Sequence, residues 1–308
     1  MTTMTLAVSR FQGSPRRRRN EALVKTVLLV ASGVSVAISV GIVLSLIFEA
    51  ASFIGSIQLP QLFAEGWFPR RGMFSLPTVI AGTLIITIVA MVVAAPVGLG
   101  SAIFLSEYAS PRVRKVVKPV LEILAGIPSV VLGFFALTWI SPHVVQALFS
   151  EAQAFSLLSA GIGVGVLTIP LVASISEDAM RAVPVALREA SYGLGARRIT
   201  TSLRVVVPAA ISGIVAALIL AISRAIGETM VVAVAAGASG GSLFTLDPVG
   251  PGQTLTGAMA SLATGSDSVT GNSSAFLSLY FLGFLLFLMT LGLNVIGDIF
   301  VRRTRQRY

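Results

Sequence analysis

Of the chain's 308 residues, 55% are hydrophobic and only 11% charged, and the mean hydropathy is +0.91, where a soluble domain carries about 25% charged residues. Composition therefore excludes a water-soluble globule, and a length that would otherwise make two soluble domains makes one bundle of spanning helices. The net charge of +9 does not point to nucleic acid, because the basic residues sit in short runs between apolar blocks; with no cysteine, disulfides and thiolate metal sites are excluded too.

Residues 1–24 form a basic tail carrying Arg16 to Arg19. The apolar stretch that follows is too long for the hydrophobic part of a signal peptide and has no small-residue cleavage site, so it reads as a retained first span. A helix needs about 20 apolar residues to cross the hydrocarbon core. Six segments qualify: Lys25–Phe48, Thr78–Ser106, Val116–Ile140, Ala154–Ile175, Val205–Ala236 and Ala275–Phe300. The expected fold is all-α, a six-helix membrane domain over 25–300 closed by a second basic tail, 301–308. Pro96, Pro128, Pro170 and Gly227 fall inside spans, where neighbouring helices satisfy the freed backbone groups.

The loops set the orientation. Of 22 lysines and arginines, 19 lie in the two tails and the second-to-third and fourth-to-fifth loops with their edges. Only Arg70 and Arg71 lie in the opposite loops, and Arg224 falls inside a span. The positive-inside rule puts both termini in the cytoplasm. The last outer loop, Gly237–Ser274, is rich in Gly, Ser and Thr, and reads equally as a docking surface or a flexible connection.

The fourth-to-fifth loop, about 182–208, alternates apolar and basic residues at helical spacing around Gly193 and Gly195. That pattern predicts two short helices joined by a glycine turn; a plain amphipathic surface helix is the simpler reading. Its residues are more specific. Glu189-Ala190-Ser191, then Gly195, then Val205-Val206-Val207-Pro208 resembles the EAA loop of ABC-importer permeases, Glu-Ala-Ala, three residues, Gly, nine residues, Ile-x-Leu-Pro. Ser191, Val205 and Val207 are the departures. The resemblance implies a type I importer permease fold whose coupling helix carries Glu189, Ala190, Ser191, Gly195 and Pro208 and seats on a separate ATP-hydrolysing subunit. No G-x-x-x-x-G-K pattern exists in the chain, so ATP and its magnesium are expected on a partner ATPase dimer, and the chain itself is expected to be non-catalytic and to bind no cofactor.

Over roughly Phe68 to Tyr308 the resemblance narrows. Ala81–Leu84, Ala102–Tyr108, Leu124–Val130 and Arg224–Met230 resemble the phosphate-specific permeases, whose pore pairs two related chains, PstC and PstA. Glu228-Thr229-Met230 and Trp67-Phe68-Pro69 look more like PstC. The resemblance implies uptake of inorganic phosphate across a bacterial inner membrane, with a PstA-like second permease and an extracytoplasmic phosphate-binding protein as partners. Permeases for sulfate, molybdate or phosphonate are the nearest alternative. A secondary transporter or channel is the rival without ATP, but no internal repeat is visible.

The residues themselves favour an anion. An arginine deep in a span, Arg224, costs about 2.5–3.5 kcal/mol on insertion scales and marks a substrate path by default. Glu228, four residues on, is placed to pair with it on one continuous helix; a structural ion pair is the competing reading. Glu107 and Glu122, near cytoplasmic ends beside basic residues, are expected to pair at interfaces. Gly161 and Gly165 form a small-xxx-small pair expected at close helix packing. His143 is expected in a solvated loop, and no metal site is expected. Gly237-Ala238-Ser239-Gly240-Gly241 fits the G-x-S-x-G hydrolase pattern, but no strand precedes it.

Overall fold

A computed structural model of the chain describes residues 15–237, 240–264 and 274–304. Residues 1–14 and 305–308 of the two basic tails, Ala238 and Ser239 of the glycine-rich run, and 265–273 of the last long loop lie outside the described residues. The chain divides into two compact units, Met1–Glu49 and Ala50–Tyr308. The first is a single helical stretch, the larger part of α1 (Pro15–Ser56). Its Leu28, Leu29, Val36 and Ile42 are exposed, as lipid-facing residues are.

In the second unit, a 3₁₀ turn leads into the strands β1 (Gly66–Phe68) and β2 (Met73–Phe74), which pair antiparallel with Trp67 opposite Phe74. Helix α2 (Leu76–Ile103) ends in a wide π turn, Phe104–Tyr108. Then come α3 (Pro111–Ala125), α4 (Ser129–Leu148), α5 (Leu157–Arg181), α6 (Val185–Gly193), α7 (Arg198–Ala209), α8 (Ile211–Ile226) and α9 (Met230–Ala235). Strand β3 (Ser242–Leu243) adds to the free edge of β1, giving the order β2-β1-β3. Helix α10 (Leu255–Thr264) and α11 (Ser274–Thr304) complete the chain. Five helices, α1, α2, α4, α5 and α11, are long and apolar enough to span a membrane; α7 and α8, bent by 72°, supply the sixth as a broken span.

Two expected spans differ from this. The third was read as Val116–Ile140, but Gly126-Ile127-Pro128 interrupts the helix and Pro128 brings no N–H. The chain before it, α3, puts Val113, Val116, Val120 and Ile123 on one side and Arg114 and Lys118 on the other; it is an amphipathic helix, not a span. The fifth was read as continuous over Val205–Ala236. It bends at Ala210 and stops at Ile226, resuming only at Met230. The last outer loop holds α10, an apolar helix too short to span.

Helix α5 is the centre of the bundle, buried over 61% of its apolar window against 0% for α1. It lies against α2 because glycines remove the side chains that would hold the two apart. An added Cβ at Gly161 would stand 2.7 Å from Val89, and one at Gly165 would stand 2.8 Å from Val93. Near the strands, Phe53, Trp67, Phe74, Leu255 and Leu282 form a second cluster, with the Phe53 and Phe74 rings edge to face at 5.0 Å. A third, around Met180, Val206 and Ile214, sits where α5, α7 and α8 meet. Gly165→Leu should therefore overpack the α2–α5 contact and cost about 1–3 kcal/mol. A lowered thermal midpoint in detergent checks it, with Gly33→Leu, where no atom lies within 4 Å, leaving the midpoint unchanged.

Candidate functional site

Three places bring charged or unusual groups together. The first is the loop between the fourth and fifth spans, which folds as two short helices, α6 and α7, joined at Gly195. Glu189 and Ala190 are exposed on α6, and Leu194 beyond its end is 90% exposed. Ser191 is half-buried, with its Oγ 2.9 Å from Thr201 Oγ1, tying α6 to α7. Gly195 has φ +78°, and an added Cβ would meet nothing within 4 Å. The need for glycine is thus conformational rather than steric: a left-handed backbone costs other residues about 1–2 kcal/mol. The turn is closed by Gly195 N–H donating to Tyr192 O at 2.9 Å and Ala196 N–H to Ser191 O at 3.2 Å. Pro208 is exposed near the end of α7, just beyond a π turn over Ser202–Val206 and before the bend at Ala210; having no N–H, it weakens the helix where the chain changes direction.

The second place is a knot of charge beneath that loop. Arg188, next to exposed Glu189, points inward. Its Nη2 donates to Glu107 Oε1 at 3.0 Å and to Met180 O at 2.8 Å, and its Nη1 to Val183 O at 2.7 Å. One guanidinium thus ties α6 to the π turn ending α2 and to the carbonyls at the C-terminus of α5, where a cation is favoured. Ser106 Oγ donates to the same Glu107 oxygen at 2.8 Å. Alongside, the Glu177 side chain is fully buried and faces three cations: Lys118 Nζ at 2.7 Å, Arg181 Nη1 at 3.5 Å and Arg114 Nε at 3.6 Å. Lys118 also reaches Asp178 Oδ1 at 2.6 Å. Burial opposes the Lys118 charge, but its hydrogen bonds to Asp178 and Glu177 and their charges outweigh it and raise the ammonium's pKa. A raised lysine pKa makes this link fully effective below the ordinary value of 10.5 and lost only as pH climbs past it. Arg198 of α7 lies over the Tyr108 ring, 5.0 Å from its centroid.

Glu107 is paired, as expected; Glu122 is exposed and makes no ion pair among the described residues. His143 lies inside α4 rather than in a loop, stacked on Trp139 and bonded to its carbonyl at 3.0 Å. Arg188 and Glu177 escaped the sequence reading. The signal for Arg188 was its place beside the Glu-Ala-Ser run, and for Glu177 a basic amphipathic helix that needs an acidic counterpart.

The third place is the break in the fifth span. Arg224, in the last turn of α8, is exposed and makes no ion pair with Glu228 among the described residues. The expected pairing needs a continuous helix, and the helix ends between the two. Glu228 turns the other way: 8% exposed, its Oε1 accepts from the Met230 and Val231 amides at 3.2 and 3.5 Å. It supplies partners for the first N–H groups of α9, which inside a membrane have no water to turn to.

Breaking a buried ion pair by removing one partner costs about 3–5 kcal/mol. Arg188→Met should destabilise the permease by that order, while Glu107→Leu with Arg188→Met should lose clearly less than the single change, since no charge is stranded. Thermal midpoints of the purified variants check both.

Residues 94–308 match the family described as the binding-protein-dependent transport system inner membrane component. The chain is similar to the probable ABC transporter permease protein YqgH of Bacillus subtilis, 37% identical over 67% of this chain and 66% of that one. It is 30% identical to the phosphate transport system permease protein PstC of Xylella fastidiosa over 86% of this chain and 88% of that one. Among solved structures, it is similar to the MetNI methionine ABC transporter in an inward-facing conformation (TM-score 0.53, 20% identity, 81% of this chain and 100% of that one). A chain of a bacterial ABC transporter for the acidic polysaccharide alginate matches with a TM-score of 0.57 at 16% identity, over 94% of this chain and 100% of that one. These two establish the fold, that of a type I importer permease. The chain therefore belongs to the inner-membrane components of binding-protein-dependent transport systems, as a multi-pass, non-catalytic permease subunit of an ABC importer.

Proposed function

We propose that the chain is a PstC-like permease for inorganic phosphate, half of a pore completed by a PstA-like chain. The observation that carries this reading is Arg224, an exposed guanidinium on a broken membrane helix that pairs with no carboxylate among the described residues. Exposed in this chain, it is available to face a second permease across the pore. An intramembrane cation held there by no structural pair is best explained by a passing anion, and a guanidinium fork matches the oxygens of a phosphate. The relatives named as phosphate transport permeases point the same way.

Glu228 then has two tasks. Its Oε1 holds the start of α9, which leaves Oε2 to accept a hydrogen bond from the hydroxyl that hydrogen phosphate carries and sulfate lacks. A carboxylate close by also keeps the anion from being held too firmly to leave. On the other side of the membrane, α6 offers Glu189, Ala190 and the bare Leu194 side chain to a groove of the ATPase dimer, which carries ATP and magnesium; this chain binds no cofactor. Closure of that dimer pushes α6, and Arg188 passes the displacement to α2 and α5. Both termini then face the cytoplasm, with the extracytoplasmic phosphate-binding protein docking on the outer loops.

Two measurements on the complete complex in proteoliposomes test this. Arg224→Gln should abolish phosphate uptake while the complex still assembles and hydrolyses ATP; uptake near the unaltered rate would overturn the anion-path reading. Gly195→Asp should leave a complex that inserts but transports nothing or loses its ATPase, and full transport would remove Gly195 from the coupling role.

A further inference from the structure

Only two basic residues, Arg70 and Arg71, fall in the loops opposite the arginine-rich ones. Arg71 lies over the Phe68 ring, 5.5 Å from its centroid. Arg70 lines a cavity of about 320 Å³ walled by α9, α10 and the segment leading into α10. That is the small end of ligand cavities, which run about 300–1,000 Å³, and suits a small ion with part of its hydration. Among the described residues that line it, none is acidic.

The polar groups around it divide by role. Arg70 and Gln253 bring N–H donors. Ser261 and Thr264, which line it, donate their own protons to Ala258 O and Ala260 O, at 2.9 and 2.8 Å, which leaves their oxygens as acceptors. Gln253 is the most telling. It is not a surface residue, being 3% exposed, and it brings to the cavity an amide that both donates and accepts. Nor is the backbone loose around it: Gly252 N–H donates to Ala236 O at 3.2 Å and Leu255 N–H to Thr83 Oγ1 at 3.0 Å. The Gln253 carbonyl rests where a Cβ of residue 82 would be, so only glycine at that position of α2 admits it. The segment also meets the broken span, since Thr256 Oγ1 donates to the Glu228 carbonyl at 2.8 Å.

We infer that this cavity is a holding site for a protonated tetrahedral oxyanion, placed outward of the break and one step before Arg224. Two donors meet the anion's charged oxygens and two hydroxyl oxygens accept its proton. The identity of the ion as hydrogen phosphate rests on the proposed function; the site as an oxyanion site does not.

The chain has no cysteine, so Ser261→Cys gives it a single thiol inside the cavity. The complete complex carrying that change and no other thiol is placed in vesicles, and the thiol is modified with a small cationic methanethiosulfonate. Inorganic phosphate should slow the modification at least tenfold, and adding Gln253→Leu or Arg70→Gln should remove the protection, whereas Gln253→Asn, which keeps the amide, should retain part of it. Modification that ignores both phosphate and sulfate, in a preparation that imports phosphate, overturns the site. Protection by sulfate but not phosphate, in a preparation that does not import phosphate, upholds the site and sinks the phosphate reading. Modification slowed by phosphatidylglycerol in the vesicle and indifferent to inorganic phosphate assigns the cavity to a lipid headgroup and overturns the proposal.

Discussion

A backbone that stops being helical inside a membrane leaves amides and carbonyls with no water to bond, and the arrangement between α8 and α11 follows from that constraint. The fifth span ends at Ile226 and resumes at Met230. The Glu228 carboxylate takes the new amides, and the Glu228 carbonyl takes the Thr256 hydroxyl. That second bond brings the segment before α10 into the bundle, where Thr83 and the bare face at Gly82 anchor it to α2. A short apolar helix in the connection before α11 is thereby tied into the bundle. The break also frees Arg224 from the carboxylate four residues away.

At the other end, charge does the joining. Apolar packing between α6 and the rest is thin, since α6 contains no buried residue. What holds it is Arg188, whose donors reach a side chain and two carbonyls from elements far apart in sequence. A link built from one rigid guanidinium transmits displacement better than a greasy contact, because its several bonds fix direction as well as distance. Glu177 does the same for α3, an amphipathic helix whose polar face brings Lys118 and Arg114 to it.

Much of this was legible in the sequence because membranes simplify the code. Long apolar runs name spans, and the pattern around Gly193 and Gly195 marked two short helices with a turn at Gly195. The close packing at Gly161 and Gly165 followed from their spacing alone. The failures have a common cause. Hydropathy averages over a window and does not register where a helix stops, so the Gly126–Pro128 interruption was absorbed into a third span and the Gly227–Thr229 break into a fifth. The second error produced the supposed Arg224–Glu228 pair, which assumed 3.6-residue periodicity across residues that are not helical. The cavity at Gln253 lay in a loop whose composition reads equally as docking surface or flexible connection, and no local pattern ties it to Thr83 or Gly82.

The first helix has a consequence of a different kind. Between Lys25 and Glu49, α1 carries 23 uncharged residues, which at a rise of 1.5 Å span about 34 Å. The hydrocarbon layer is about 30 Å thick, so the apolar stretch outruns it by nearly a turn, while α1 extends at both ends past its flanking charges. Hydrophobic mismatch of this sign is relieved by tilting or by thickening the bilayer locally, at a fraction of a kcal/mol per ångström. The tilt of a helix of this length therefore follows the thickness of the bilayer that holds it, and so the length of the lipid chains.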